Sequence, residues 1–338
     1  MVSKARQLAQ SASAPDGRKN LIINGGFEVS QRGTSFTTDN IYTLDRWSSS
    51  DGSGGSPART TTQETFSLGQ TDVPKATHFL KHNQTAASTN GNAALNQRIE
   101  DVTRFDNVTV TLSFYAKADA ALTIDVQLIQ NFGSGGSPSS NVTVSETGIS
   151  VGTSFQKYTV TKDLASLSGK TLGTDGRHTS YLQVQFDFDD TSTFTFEVAQ
   201  VQLEFGSVAT EFEQRSFGEE LALCLRYFIR FPSLSDASTT LYYNVGMIHS
   251  STKSFHNINL PVPMRTQPDL SISGTDDFVT VDSGTVRNLT NLTILGDDFI
   301  DNQVVTLQGT ATFPNEDRPA ALRGDGTSGG HFALDAEL

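Results

Sequence analysis

The sequence predicts an all-β protein made of two β-sandwich, jelly-roll-like domains joined by one short helix. Three observations predict it. Thr, Ser, Gly and Asn are abundant while only 18% of residues are charged, the composition of short strands separated by turns. Clean period-two alternation recurs, as in Tyr181–Phe188, where Leu182, Val184, Phe186 and Phe188 fall on one face and Tyr181, Gln183, Gln185 and Asp187 on the other. That pattern marks antiparallel strands with one buried and one wet face. A single convincing helical pattern occurs, near 214–228, in a chain of 338 residues that is long enough for two cores.

Residues 1–19 are polar, with a Pro15-Asp16-Gly17 turn, and should order only against a partner. Asn20–Arg32 opens the first domain, 20–213, with a strand, a Gly-Gly break and a second strand. Ile41–Trp47 (IYTLDRW) contains the only tryptophan, either a core anchor or a stacking platform. The stretches Ser48–Pro57 and Gly133–Ser140 are Ser/Gly-rich loops. Val108, Val110, Leu112, Phe114 and Ala116 share one face, as do Leu122, Ile124, Val126 and Leu128. Eight or so strands are expected over this domain, most plausibly as a jelly roll.

At the end of that domain Phe194, Phe196 and Val198 are followed by Val201, Leu203 and Phe205. A period-two strand absorbs this change of phase only through a bulge. The strand should end at Gly206. Ser216 then reads as an N-cap with Glu219 at the capping-box position, and Phe217, Leu221, Cys224, Leu225 and Phe228 follow at helical spacing. The second domain, 229–338, begins within the RYFIRF segment. LYYNVGMIH, SFHNINLPVPM, DLSISG, DFVTV, VVTLQGTATF and HFALDAEL complete the strand set, with Pro261 and Pro263 on an edge or in a turn. No repeat at solenoid or propeller spacing is present.

The formal charge of −13 argues against a nucleic-acid partner. No run approaches the roughly 20 apolar residues of a membrane span, and MVSKARQLAQ lacks the apolar core of a secretory signal, so synthesis in a cytoplasm is expected. Cys224, the sole cysteine, reads as a small core residue. His78 and His82 have the spacing of a helical metal pair, but in a strand they stand about 13 Å apart. No zinc-protease or phosphate-loop motif occurs. The clusters Asp187, Asp189, Asp190 and Asp297, Asp298, Asp301 suit a solvated loop, a calcium site or a catalytic pair, in that order. Arg323-Gly324-Asp325 reads as a turn. The expectation is a protein without enzymatic activity.

Two stretches carry a family resemblance. NLIINGGFEVSQRGTSF with YTLDRW, and VQLEFGSVATEFEQRSFGEELALCLRYF with LPVPMRTQP and DAEL, resemble tail-fibre or receptor-binding virion proteins of tailed bacteriophages, notably of marine bacteria. The resemblance implies a virion component, homotrimeric, attached to other virion proteins through residues 1–19, with β-sandwich domains that contact host-surface polysaccharide. The first domain is also similar to carbohydrate-binding jelly rolls, in which Glu28 of NGGFE would help hold a structural calcium; no other cofactor is implied. Sugar binding on such a fold uses aromatic faces with amides, acids or arginines for the hydroxyls. The candidates are Tyr42, Asp45, Arg46, Trp47, Tyr181, Gln183, Gln185, Tyr242 and Tyr243. The alternatives are a capsid decoration, head fibre or tail adaptor that binds only virion proteins, and a polysaccharide depolymerase.

Overall fold

The structure is a computed structural model that describes residues 18–51, 58–87, 93–189, 191–231, 242–274, 277–295, 303–324 and 331–338. Almost all of the expected docking arm, most of the Ser48–Pro57 loop, and Asp190, Asp297, Asp298, Asp301 and Asp325 lie outside the described residues. The chain divides into two compact units, one running to Glu220 and including Leu338, the other spanning Leu221–Glu337.

The first unit is a sandwich of two antiparallel sheets. Sheet one runs β1 (Ser35–Phe36), β4 (Arg59–Thr65), β5 (His78–Gln84), β12 (Phe194–Phe205), β7 (Thr109–Ala118), β10 (Gln156–Asp163). Sheet two runs β2 (Ile41–Tyr42), β3 (Ser48–Asp51), β6 (Ala93–Glu100), β11 (Tyr181–Phe188), β8 (Leu122–Asn131), β9 (Val142–Val151). The alternating residues do what their period demands. Val110, Leu112, Phe114 and Ala116 of β7, Ile124, Val126 and Leu128 of β8, and Leu182, Val184, Phe186 and Phe188 of β11 form one continuous core. Twelve strands among the described residues exceed the eight or so expected, although neither strand expected over Asn20–Arg32 forms and Ser48–Asp51, expected in a loop, is β3. The surplus consists of very short pieces such as β1 and β2, and of edge strands β9 and β10, whose largely exposed side chains carry little apolar signal.

β12 has the expected irregularity. Its register on β7 shifts between Ala199 and Gln202, with Gln200 at φ 50°, so Val198 and Val201 both face the core. The bulge receives the Gly-Gly turn: Val201 N–H donates to the Gly25 carbonyl at 2.9 Å. A Cβ on Gly25 would run into the Val201 main-chain oxygen, so only glycine permits this approach. The strand stops before Gly206, at φ 101°.

The one α-helix among the described residues, α1, spans Phe217–Leu225. The capping box is formed: Ser216 N–H donates to Glu219 Oε2 at 2.9 Å, and Glu219 N–H reaches back to Ser216 Oγ at 3.4 Å. Two positions of the expected apolar stripe behave otherwise. Phe217 is 55% exposed and Phe228 already belongs to a strand, whereas Glu220 and Cys224 are buried.

In the second unit β13 (Phe228–Phe231), β22 (Phe332–Asp335) and β16 (Asp269–Ile272) form a three-stranded sheet. A seven-stranded sheet runs β18 (Thr285–Asn288), β17 (Phe278–Asp282), β21 (Arg318–Gly324), β14 (Tyr242–Ser250), β15 (Lys253–Asn259), β20 (Val304–Thr310), β19 (Asn291–Ile294). All seven expected strands are present, and Pro261 and Pro263 fall in the loop after β15. β18, β19 and β21 were not legible. β21 is an interior strand that contains Pro319, normally an argument against such a position; Pro319 is tolerated because it is the second residue of the strand and exposed.

Each unit buries a histidine. His82 is enclosed with Phe188 and Phe194, its Nδ1 2.9 Å from the Thr61 hydroxyl, and burial followed by the Arg59 charge pushes its pKa down to about 3. Burial pushes His256 down to about 4. Both are neutral when folded and protonate near 6.5 when unfolded, so below pH 6.5 the unfolded chain binds more protons and stability falls with pH. Each should remove about 1.4 kcal/mol per pH unit until its folded pKa is reached. The buried Asp45 carboxyl, raised by its burial, acts in the opposite sense. Urea midpoints are expected to be flat from pH 8 to 7 and to drop between pH 6.5 and 4; His82→Leu should shallow that drop, and an unchanged slope would contradict this account.

Candidate functional site

The two motif stretches that carry the family resemblance come together, and what they build is the frame of the first unit. Asn20 Oδ1 accepts from Leu203 N–H and Asn20 Nδ2 donates to the Val201 carbonyl. Arg215, almost fully buried, pairs with Glu213 at 3.1 Å and Glu220 at 3.2 Å and donates to the carbonyls of Asn20 and Ile22. Burial alone would raise the Glu213 carboxyl, but the N–H groups of Asn20 and Lys19 and the Arg215 charge hold it below its ordinary value. Glu220 accepts from Asn24 N–H at 2.5 Å.

Asp45, Arg46 and Trp47 belong to this frame and are buried, which removes them from contact with a sugar. Asp45 accepts from the Gln31 main chain and side chain, each at 2.6 Å. Arg46, at φ 71°, donates to the Arg98 carbonyl. Trp47 packs on Phe27, with centroids 5.2 Å apart, and its indole N–H donates to the Asn24 carbonyl at 3.1 Å. Tyr42 is half-buried, its hydroxyl donates to the Leu338 main-chain oxygen at 2.9 Å, and the Arg32 guanidinium lies over its ring. Glu28 accepts from the Thr77 hydroxyl. Among the described residues no three acidic, histidine or cysteine side chains gather, so a calcium at Glu28 would depend on carbonyl oxygens.

Tyr243 is also structural. Its ring packs on Phe278 and Phe332, and desolvation pushes its hydroxyl up to about 12. Tyr242 is exposed, with Arg323 over its ring.

Tyr181, Gln183 and Gln185 do lie together on the outer face of sheet two. β11 pairs with β6 on one side and β8 on the other, which sets Gln183 between Arg98 and Ile129, Gln185 between Asn96 and Gln127, and Tyr181 between Glu100 and Asn131. The side chains order one another. Arg98 Nε donates to Gln183 Oε1 at 3.2 Å, Gln183 Nε2 donates to Gln185 Oε1 at 2.7 Å, and Gln127 donates to Asp187 at 2.7 Å. The Arg98 guanidinium sits 4.8 Å from the Tyr181 ring centroid and also donates to the Leu338 main-chain oxygen. Among the described residues the Gln185 amide N–H groups make no bond. The result is a pre-ordered strip of amides, a cation and one aromatic ring, suited to hydroxyl-rich ligands. Sequence reasoning missed Arg98 and Gln127; Asn96 is buried and bonded to Ser48 and Ser50. The signal for Gln127 was the outward phase of β8, whereas Arg98 on β6 depended on knowing its pairing.

No family model matches the chain, and no curated protein matches it. Solved structures do. A tailspike protein 4 enzymatically active domain of bacteriophage CBA120 is 15% identical over 55% of this chain and 21% of its own, with a TM-score of 0.34. The N-terminal cellulose-binding domain of Cellulomonas fimi β-1,4-glucanase C is 15% identical over 54% of this chain and all of its own, at 0.33. A cyclase from Fischerella sp. TAU is 14% identical over 57% and 100%, at 0.38. This chain spans about a fifth of the tailspike domain's length. Likeness at this level assigns none of these proteins' activities to this chain.

Proposed function

We propose that the chain is a non-enzymatic receptor-binding virion protein of a tailed bacteriophage, holding host-surface polysaccharide along the outer face of sheet two. The observation that carries this is the ordered strip Arg98–Gln183–Gln185 beside Tyr181. Planar amides fix hydroxyl positions there while the tyrosine offers a ring face. The order of motifs along the sequence supports the virion assignment, with residues 1–19 as the attachment arm and a homotrimer as the assembly. Weak individual sites suffice, because copies on one particle raise the effective concentration of the rest.

Purified protein added to host cells before phage is expected to reduce adsorption. The Tyr181→Ala, Gln183→Ala double variant should bind host polysaccharide roughly tenfold more weakly with an unchanged unfolding midpoint. Full competition by that variant would remove the face from the reading.

One observation favours a second reading, a decoration or adaptor protein that binds only other virion proteins. On the seven-stranded sheet Val245 is 71% exposed, and Met247 of the same strand and Val286 of β18 are exposed as well, which is apolar surface of a kind proteins cover with partners. Folded protein that leaves adsorption untouched would support this second reading.

A further inference from the structure

Sheet one has its own concave feature, on the face opposite the core. Tyr115 of β7 and Lys157 of β10 are cross-strand partners there, and Ala199 of β12 flanks Tyr115 on the other side. The small alanine and the bulge that follows leave an opening above Tyr115 and Ser113. Two irregular segments wall it. Gln200, held at φ 50° by the bulge, donates to the Pro74 carbonyl at 2.5 Å and fixes the loop that carries Lys75. Across from it, the chain beyond Gly206 folds back over the sheet. Gln202 donates to the Glu211 carbonyl and accepts from Glu213 N–H, Glu204 binds Thr210, and Lys157 Nζ donates to the Thr210 carbonyl. This places Glu211, Phe212 and Gln214 on the rim of a pocket of about 170 Å³.

The lining narrows the ligand. The volume is below the roughly 300–1,000 Å³ that encloses a drug-sized molecule, so one ring fits and a longer chain would pass through a single residue. Tyr115 and Phe212 supply flat apolar surface, and Ser113, Gln200 and Gln214 supply hydroxyl-directed polar groups. Lys75 and Lys157 form no ion pair among the described residues, in a chain whose net charge is −13. Two lysines against one glutamate leave the lining with a net positive charge, which favours an anion. Glu211 on the same rim opposes a second negative charge, which disfavours a phosphate dianion and suits a single carboxylate whose hydroxyls it can accept from.

We infer that this pocket binds one carboxylated sugar residue, a hexuronate, with Lys75 and Lys157 on the carboxylate and Tyr115 and Phe212 against the ring. The site is separate from the sheet-two strip and stands or falls independently of it.

The test is calorimetric titration of the full chain with sodium D-glucuronate, with D-glucose and sodium acetate as comparators. Saturable glucuronate binding is expected, with neither comparator approaching it. The Lys75→Met, Lys157→Met double variant should weaken it by about ten- to a hundredfold, and Lys75→Met alone, which removes no side-chain bond among the described residues, should weaken it measurably. Tyr181→Ala with Gln183→Ala should leave it unchanged. Equal binding of glucose, equal binding of acetate, absence of saturation, or retention of affinity in both lysine variants would each overturn the assignment. Loss in the sheet-two variant alone would overturn it too, while favouring the other face.

Discussion

Arg215→Ala is expected to destabilise the first unit by about 3–5 kcal/mol, the range for removing one partner of a buried ion pair. The guanidinium answers Glu213, Glu220 and two carbonyls at once, and its loss leaves the buried Glu220 carboxylate, among the described residues, with the Asn24 N–H alone. The only tryptophan, Trp47, lies in this unit's core. Its fluorescence therefore reports this unit's transition even if the second unit unfolds separately. Urea unfolding followed at Trp47 should show a lower midpoint at constant slope. Adding Glu220→Gln to Arg215→Met should recover part of the loss, because the penalty belongs to the unpaired charge. A cost below about 1 kcal/mol would mean the cluster behaves as a solvent-screened surface pair.

Trp47→Ala should cost a similar ~3–5 kcal/mol, as large-to-small substitutions of core aromatics do. It empties the space between Phe27 and Phe186. It also removes one of the two donors to the buried Asn24 carbonyl, which keeps the Phe27 N–H at 3.1 Å. Trp47→Phe separates the two terms, since it keeps most of the volume and loses only the hydrogen bond, for which ~0.5–1.5 kcal/mol is expected. Circular dichroism through the urea transition checks both. If either variant lost glycan binding while keeping its midpoint, the tryptophan would be a sugar platform after all.

Where pattern and packing agree, local sequence was enough. β11 lies over the residues its alternation marks, the β12 bulge sits at the phase change between Val198 and Val201, and the Ser216–Glu219 capping box forms. Each depends on residues within a few positions of one another. β21 failed the same reading because Arg-Pro-Ala-Ala-Leu-Arg-Gly shows Pro319 and little alternation, and its neighbours β14 and β17, not its own propensity, hold it in place. Phe217 is exposed and Glu220 buried because helical spacing predicts a face but not which charged residue will find a buried partner at Arg215.

For function the division is sharper. Tyr181, Gln183 and Gln185 were visible as the wet face of one strand. Their partners Arg98 and Gln127 stand 85 and 58 positions from Gln183 and Gln185 and join them only through strand pairing. DRW sets the chain's only tryptophan beside two charged residues, a composition that suits a binding surface and a buried frame alike; burial, a tertiary quantity, separates the two. The sheet-one pocket draws on five separate stretches, around 74, 113–115, 157, 200 and 211–214. Sequence by itself determined the β class, the strand phases, the bulge and the helix start, because those follow from nearest-neighbour periodicity and capping. Tertiary structure alone decided which polar residues face solvent together, because that depends on how distant strands register and on which of them the folded-back chain covers.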